Sequence, residues 1–160
     1  AYVYHALSAD PRVLDASAIS PEPGEVLVTL LAREGNGTAA ADLVAAVKAY
    51  LTAESRRPLT DFVEVQSATI INYAVEAEIT TFAGPDSAVV MAEARAQLDA
   101  YIAESFRMGR DITISGLHAA LHRAGVQNVN LISPAADIII DRTEAAYCTG
   151  ISLSHVGIGE

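Results

Sequence analysis

Asp61 to Phe82, DFVEVQSATIINYAVEAEITTF, is the stretch on which the fold turns. Its odd positions are Val63, Val65, Ser67, Thr69, Ile71, Tyr73, Val75, Ala77, Ile79 and Thr81. The even ones include Glu64, Gln66, Asn72, Glu76, Glu78 and Thr80, with Phe62, Ile70 and Phe82 as exceptions. Side chains alternate faces along a strand, so one parity sustained this long describes extended chain with a dry face and a wet face. Strands usually run about 5–6 residues. The stretch is therefore expected to be two strands joined by a bend at Ser67–Ile70, where the residues are small or the alternation blurs. One folding unit is expected before it and a related one after it.

Upstream, Val13–Ser20 (VLDASAIS) and Glu25–Ala32 (EVLVTLLA) flank Pro21-Glu22-Pro23-Gly24, a turn whose prolines fix φ, and together they read as an antiparallel hairpin. The second run is apolar on both parities, which suits a central strand covered on two sides. A helix is predicted from about Ala39 to Glu54, with Thr38 as N-cap and Leu43, Val44, Val47, Tyr50 and Leu51 as its buried stripe; Arg56-Arg57-Pro58 is expected to end it. Downstream, Gly84-Pro85-Asp86 is a turn. A helix from about Ser87 to Ser105 carries Val90, Met91, Ala94, Leu98, Tyr101 and Ile102. A third, near Gly116 to Ala124, is expected to stop with Gly125 at C′. Val126–Ile132 and Ala145–Val156 read as strands, Ile138–Ile140 as a short apolar run, and Gly157–Glu160 as a frayed end. Ala49-Tyr50-Leu51-Thr52-Ala53-Glu54-Ser55 echoes Ala100-Tyr101-Ile102-Ala103-Glu104-Ser105, so a strand–turn–helix unit is expected twice. The predicted class is α+β: two small related units, mainly antiparallel sheets with helices packed on one face. Residues 1–12 are assigned to a truncated N-terminal lead-in, 13–67 to a first ββαβ-like unit and 68–160 to a second β-α-α-β-β unit.

Composition sets bounds on function. A chain of 160 residues can bury roughly 70% of its unfolded surface. Ten Lys and Arg against twenty Asp and Glu give a net charge of −10, which argues against nucleic acid and anionic membranes as partners. No apolar run approaches the length of a membrane-spanning helix, and the start, AYVYHALSAD, has neither the basic nor the apolar region of a signal peptide and lacks an initiating Met. The single Cys148 permits no internal disulfide and is expected as a small buried apolar residue.

Several constellations resemble sites. His118 and His122 in HAALH lie four apart, as on zinc-binding helices, but Ala119 stands where a metalloprotease would have its Glu. A metal-dependent hydrolase using this pair with a carboxylate is the competing reading; a regulatory module binding a small ligand between the units is a third. Gly35-Asn36-Gly37 follows a strand and precedes a helix but lacks both the third glycine of a dinucleotide turn and the Lys-Ser/Thr of a P-loop, so a simple turn is expected. Glu76 and Glu78 point the same way from the ribbon, and solvated carboxylates are the simplest account. Ser154 and His155 are neighbours in a strand, so they face opposite ways and cannot pair as nucleophile and base. Arg56, Arg57, Arg107 and Arg110 flank helix ends, where cations complement the dipole. No catalytic, metal or cofactor residue is assigned.

Ordered motifs say more. Tyr4-His5-Ala6-Leu7-Ser8-Ala9-Asp10, Val13-Leu14-Asp15-Ala16-Ser17, and Ser20-Pro21-Glu22-Pro23-Gly24 are followed by Arg57-Pro58-Leu59-Thr60-Asp61, Val65-Gln66-Ser67-Ala68-Thr69 and Gly109-Arg110-Asp111-Ile112. Leu131-Ile132-Ser133-Pro134-Ala135-Ala136-Asp137-Ile138 and Ala145-Ala146-Tyr147-Cys148-Thr149 complete the series. Over essentially its whole length the chain resembles the phage baseplate J-like proteins. That resemblance implies a structural wedge component of a contractile-tail baseplate, in a phage, a prophage or a related injection particle. It would contact other wedge and hub proteins, and self-association is expected. The resemblance implies no enzyme activity, cofactor or small-molecule substrate, and a location in the virion tail baseplate after assembly in the host cytoplasm. Family chains extend further at the N-terminus, so this one would correspond to their C-terminal portion.

Overall fold

The computed structural model describes residues 1–53 and 61–160. The chain forms two compact units, Ala1–Ile71 with Arg107–Gly109 and Ile140–Tyr147, and Asn72–Phe106 with Arg110–Ile139 and Cys148–Glu160.

In the first unit, α1 (Tyr2–Ala9) leads into β1 (Val13–Ile19), β2 (Glu25–Ala32), α2 (Ala41–Leu51) and β3 (Phe62–Ser67). The strands form a sheet in the order β1-β2-β3. β1 and β2 are the antiparallel hairpin, with Ala16 opposite Leu30 and Ile19 opposite Leu27. β3 lies parallel to β2, Glu25 opposite Phe62 and Val28 opposite Val65, a pairing that requires a crossover, which α2 occupies. On one face Val13, Ala16, Val28, Leu30, Val63 and Val65 pack with Ala6 of α1 and Leu43, Val47 and Leu51 of α2. Each larger buried side chain contributes about 1.5–3 kcal/mol. On the opposite face Thr29 and Leu31 are also buried, as the doubly apolar β2 demanded. Segments of the same unit lie against this face: Met108 N–H donates to Asp15 Oδ2 (2.9 Å) and Ser17 Oγ donates to the Arg142 carbonyl (2.6 Å).

The N-terminal segment takes a defined form, and one expectation is corrected. Residues 2–9 are helical because Tyr2, Val3, Ala6 and Ala9 meet the core at helical spacing, and Tyr2 Oη donates to Asp61 Oδ2 at 2.6 Å. The helix predicted over 39–54 is α2 at Ala41–Leu51, and its N-cap is Ala40 rather than Thr38; Thr38 N–H instead donates to Asn36 Oδ1 inside the preceding turn. The expected terminator Arg56-Arg57-Pro58, and Glu54 and Ser55 of the internal echo, lie outside the described residues. Arg12 ties the start of β1 to α2, contacting Asp10 Oδ2 at 3.0 Å and Asp42 Oδ2 at 2.7 Å.

The second unit contains most of β4 (Thr69–Phe82), then α3 (Ser87–Ser105), α4 (Ile114–Leu121), β5 (Val126–Ser133) and most of β6 (Glu144–Gly159). The bend falls at Ala68, between β3 and β4, and Tyr73, Val75, Ala77, Ile79 and Thr81 are buried as their parity predicted. β4 is the middle strand in the order β5-β4-β6, antiparallel to β5 with Ile79 opposite Val129. α3 is capped by Asp86, which accepts from Ala88 N–H, and buries Val90, Ala94 and Leu98. Ile112 and Ile138 form an isolated bridge, exchanging bonds of 3.0 and 2.8 Å. The echo holds as strand–turn–helix in both units. It then diverges, because α3 is followed by α4 and an antiparallel return whereas α2 returns parallel.

The third helix ends at Leu121 with His122 as C-cap, earlier than predicted, so Gly125 is not its C′ residue. Gly125 has φ +90° in the turn before β5, and a Cβ there would stand 2.6 Å from Val90 Cγ2. At the other end of α4, Thr113 Oγ1 accepts from Gly116 N–H, and Thr113 N–H donates to the Tyr101 hydroxyl. A Cβ on Gly116 would stand 2.7 Å from that hydroxyl and from Tyr101 Cε2. β6 also runs further than expected: Gly157 and Gly159 remain in the strand rather than fraying.

Two outcomes follow for stability. Gly116→Ala gains about 1 kcal/mol of helix preference but forces a ring held by a hydrogen bond, an overpacking cost of about 1–3 kcal/mol, so a net loss is expected. In a Tyr101→Leu background the same change should cost less, the remaining close approach being Thr113 Oγ1 at 2.8 Å, a coupling that denaturant unfolding of the double-mutant cycle reads directly. Asp10 and Asp42 are held below the ordinary carboxylate value, chiefly by the hydrogen bonds from Arg12. A lowered folded-state pKa gives stability that is present above the unfolded value of about 3.9 and lost as pH falls through the folded value. Urea midpoints of the native chain and of Asp10→Asn/Asp42→Asn should therefore differ at neutral pH and converge below about pH 4.

Candidate docking surface

The constellations with possible chemistry do not assemble. His118 is half-buried on α4 and His122 is exposed at its C-cap, where its N–H donates to the His118 carbonyl at 2.8 Å. Among the described residues no group of three His, Cys, Asp or Glu is gathered around them or elsewhere. The Gly35-Asn36-Gly37 turn spends its polar groups internally: Gly37 N–H donates to the Glu34 carbonyl, and the Gly37 carbonyl accepts from Ala32 N–H at 2.8 Å. Glu76 is exposed, and Glu78 Oε1 accepts from Asn130 Nδ2 across the β4–β5 pair. Ser154 is exposed, whereas the His155 ring turns to the buried Thr81, Nε2 lying 2.9 Å from Oγ1. That bond satisfies a hydroxyl that would be costly to bury unpaired. Arg110 lies 3.3 Å from the Glu104 carbonyl near the end of α3 and 3.9 Å from its carboxylate, as a helix-end cation should. Arg107 follows the same helix end, and Arg56 and Arg57 lie outside the described residues.

Cys148 corrects an expectation. It is half-buried rather than buried, and its Sγ lies 3.4 Å from the Gly150 carbonyl. Burial pushes the thiol pKa up, which lowers its thiolate fraction and with it its nucleophilicity. Tyr73 is raised as well, first by its own burial.

What the second unit does present is an edge. β6 is one of the two outer strands beside β4, and Thr149 Oγ1 donates to the Tyr73 carbonyl between them. From Ala145 to Gly159 the strand contains no Asp, Glu, Lys, Arg or Pro. Edge strands of proteins that remain alone are usually blunted by such residues. Beyond Gly150 its side chains are exposed or half-buried, and Val156 (53%) and Ile158 (65%) leave apolar surface in solvent. A long, neutral, partly apolar edge can accept another strand through main-chain hydrogen bonds. Alternation identifies the strand in the sequence, but its place at the edge depends on pairing partners that alternation does not specify.

Comparison with known proteins gives a consistent set. Residues 1–67 match the family described as the Baseplate J-like central domain, and residues 73–154 match the Baseplate J-like protein C-terminal domain. The interval between the two matches contains the bend at Ala68. The chain is 47% identical over 149 residues to "Baseplate protein J" of Escherichia phage P2, an alignment covering 93% of this chain and 49% of that protein. It thus spans about half the length of that relative. Its fold is similar to a chain in the cryo-EM structure of the anti-feeding prophage baseplate, with a TM-score of 0.58 at 15% identity, covering 92% of this chain and 36% of that one.

Proposed function

The chain belongs to the baseplate J-like protein family, and from that premise we propose that it is a structural component of a contractile-tail baseplate wedge, in a phage or a prophage, acting in tail assembly through protein–protein contacts. The observation that carries this reading is the succession of both family domains along the chain, together with 47% identity to a phage baseplate protein. Its partners are other wedge and hub proteins and further copies of itself. Its place is the virion tail baseplate, reached from the host cytoplasm during assembly. The reading assigns it neither catalysis nor a small-molecule substrate, and His118 and His122 are polar groups on a helix.

The β6 edge supports such a role physically. Main-chain bonds supply affinity without demanding a particular sequence, while apolar side chains such as Val156 and Ile158 set register. Size-exclusion chromatography with light scattering, on the chain alone and mixed with the other baseplate chains, is the test. A self-associated species or a defined complex is expected. Val156→Lys/Ile158→Lys should abolish it while shifting the unfolding free energy by no more than about 0.5 kcal/mol, as exposed substitutions do. A strict monomer that joins none of those chains contradicts the reading.

A further inference from the structure

A second surface lies in the first unit and is independent of β6. Along β2 the even residues face α1 and α2, and the odd residues face the other side of the sheet. That second side is buried at Leu31 and Thr29, but cover is lost toward the start of the strand: Leu27 is half-buried and Glu25 exposed. Cross-strand partners share a face, so Phe62 stands beside Glu25 and Glu64 beside Leu27 on β3, with Ile19 beside Leu27 on β1. Pro21, Glu25, Leu27, Phe62 and Glu64 line an open hollow of about 190 Å³. Phe62 is 60% exposed. Glu64 Oε2 lies 3.1 Å from Lys48 Nζ, whereas Glu25 has no ion pair among the described residues. Among the described residues, two carboxylates against one ammonium leave the hollow negative.

We propose that this hollow docks an extended segment of a partner protein that presents an arginine or lysine between apolar side chains. An aromatic face with carboxylates beside it matches a cation carried on an apolar stem: the stem covers Leu27 and Phe62, the charged head meets Glu25, and the ring attracts it further. An anionic ligand is repelled, and a wholly apolar segment leaves Glu25 partly desolvated without a partner. The choice of a basic occupant thus follows from charge, and the choice of an extended one from the strip of sheet face that remains uncovered. This goes beyond the baseplate role, which requires contacts but does not say where the first unit makes them or with what chemistry.

The test uses the intact chain, isotope-labelled for NMR, titrated with a blocked pentapeptide of alternating leucine and arginine. Parallel titrations use the same peptide with citrulline or with glutamate in place of arginine. Amide shifts confined to Glu25, Leu27, Phe62, Glu64 and their neighbours are expected with the arginine peptide. Binding should weaken by about five-fold or more with the citrulline peptide and in Glu25→Gln/Glu64→Gln, and should fall with added salt. Phe62→Ala should weaken it as well. Val156→Lys/Ile158→Lys should leave it unchanged, so failure of this surface is told apart from failure of the β6 edge. An arginine peptide that leaves these amides unmoved overturns the proposal, as does equal binding of the glutamate peptide or of the double-Gln variant.

Discussion

The structure depends on a single parity. From Val63 to Thr81 the buried side chains sit at odd positions on both sides of the bend, and the same ribbon supplies β3 to one sheet and the middle strand of the other. A shift of one residue would turn Val75, Ala77 and Ile79 to solvent and Glu76 and Glu78 to the core. Burying even one unpaired carboxylate costs far more than the net stability of a domain this size can spare. Register is therefore strongly specified where it matters most. Only at Ser67–Ile71 does burial depart from the pattern, with Ala68 inside and Thr69 exposed, and there the chain bends.

Function follows from what the two sheets leave uncovered. The first unit closes one face with α1 and α2 and only part of the other. The second unit surrounds β4 and leaves β6 as a neutral edge. Several titratable groups are spent on structure: Arg12 with Asp10 and Asp42, Arg110 on the Glu104 carbonyl, His155 on Thr81. A member of a family of baseplate proteins that offers uncovered sheet has the physical means to be a component of an assembly.

Much of this was legible in the sequence. The alternation in Asp61–Phe82 located two strands and their dry face, the doubly apolar Glu25–Ala32 located a central strand, and the motif series identified the family. Other features depend on contacts distant in sequence. Alternation does not name a strand's partner, so the parallel β2–β3 pair was missed, as was the contribution of residues 107–109 and 140–147 to the first unit. α1 carried a signal in the spacing of Tyr2, Val3, Ala6 and Ala9, but so short a helix is stable only through packing that the sequence does not display. Thr38 is a better N-cap by type than Ala40, yet Thr38 belongs to the preceding turn and α2 begins only at Ala41. Cys148 reads as core by residue type, and only its place in an outer strand leaves it half-exposed. The hollow beside Phe62 was invisible for the same reason: Glu25, Leu27, Phe62 and Glu64 meet only through strand pairing.

Hydrogen exchange resolved by residue tests the central claim, that β4 is the protected interior strand and β6 an open edge. In the isolated chain the slowest amides should be those of Tyr73 to Thr81, with the outer half of β6, Gly150 to Gly159, exchanging faster through local opening. Added baseplate partners should slow β6 and leave β4 as it was. Protection of β6 equal to that of β4 in the isolated chain, or opening of β4 before the strands on either side of it, would contradict the account.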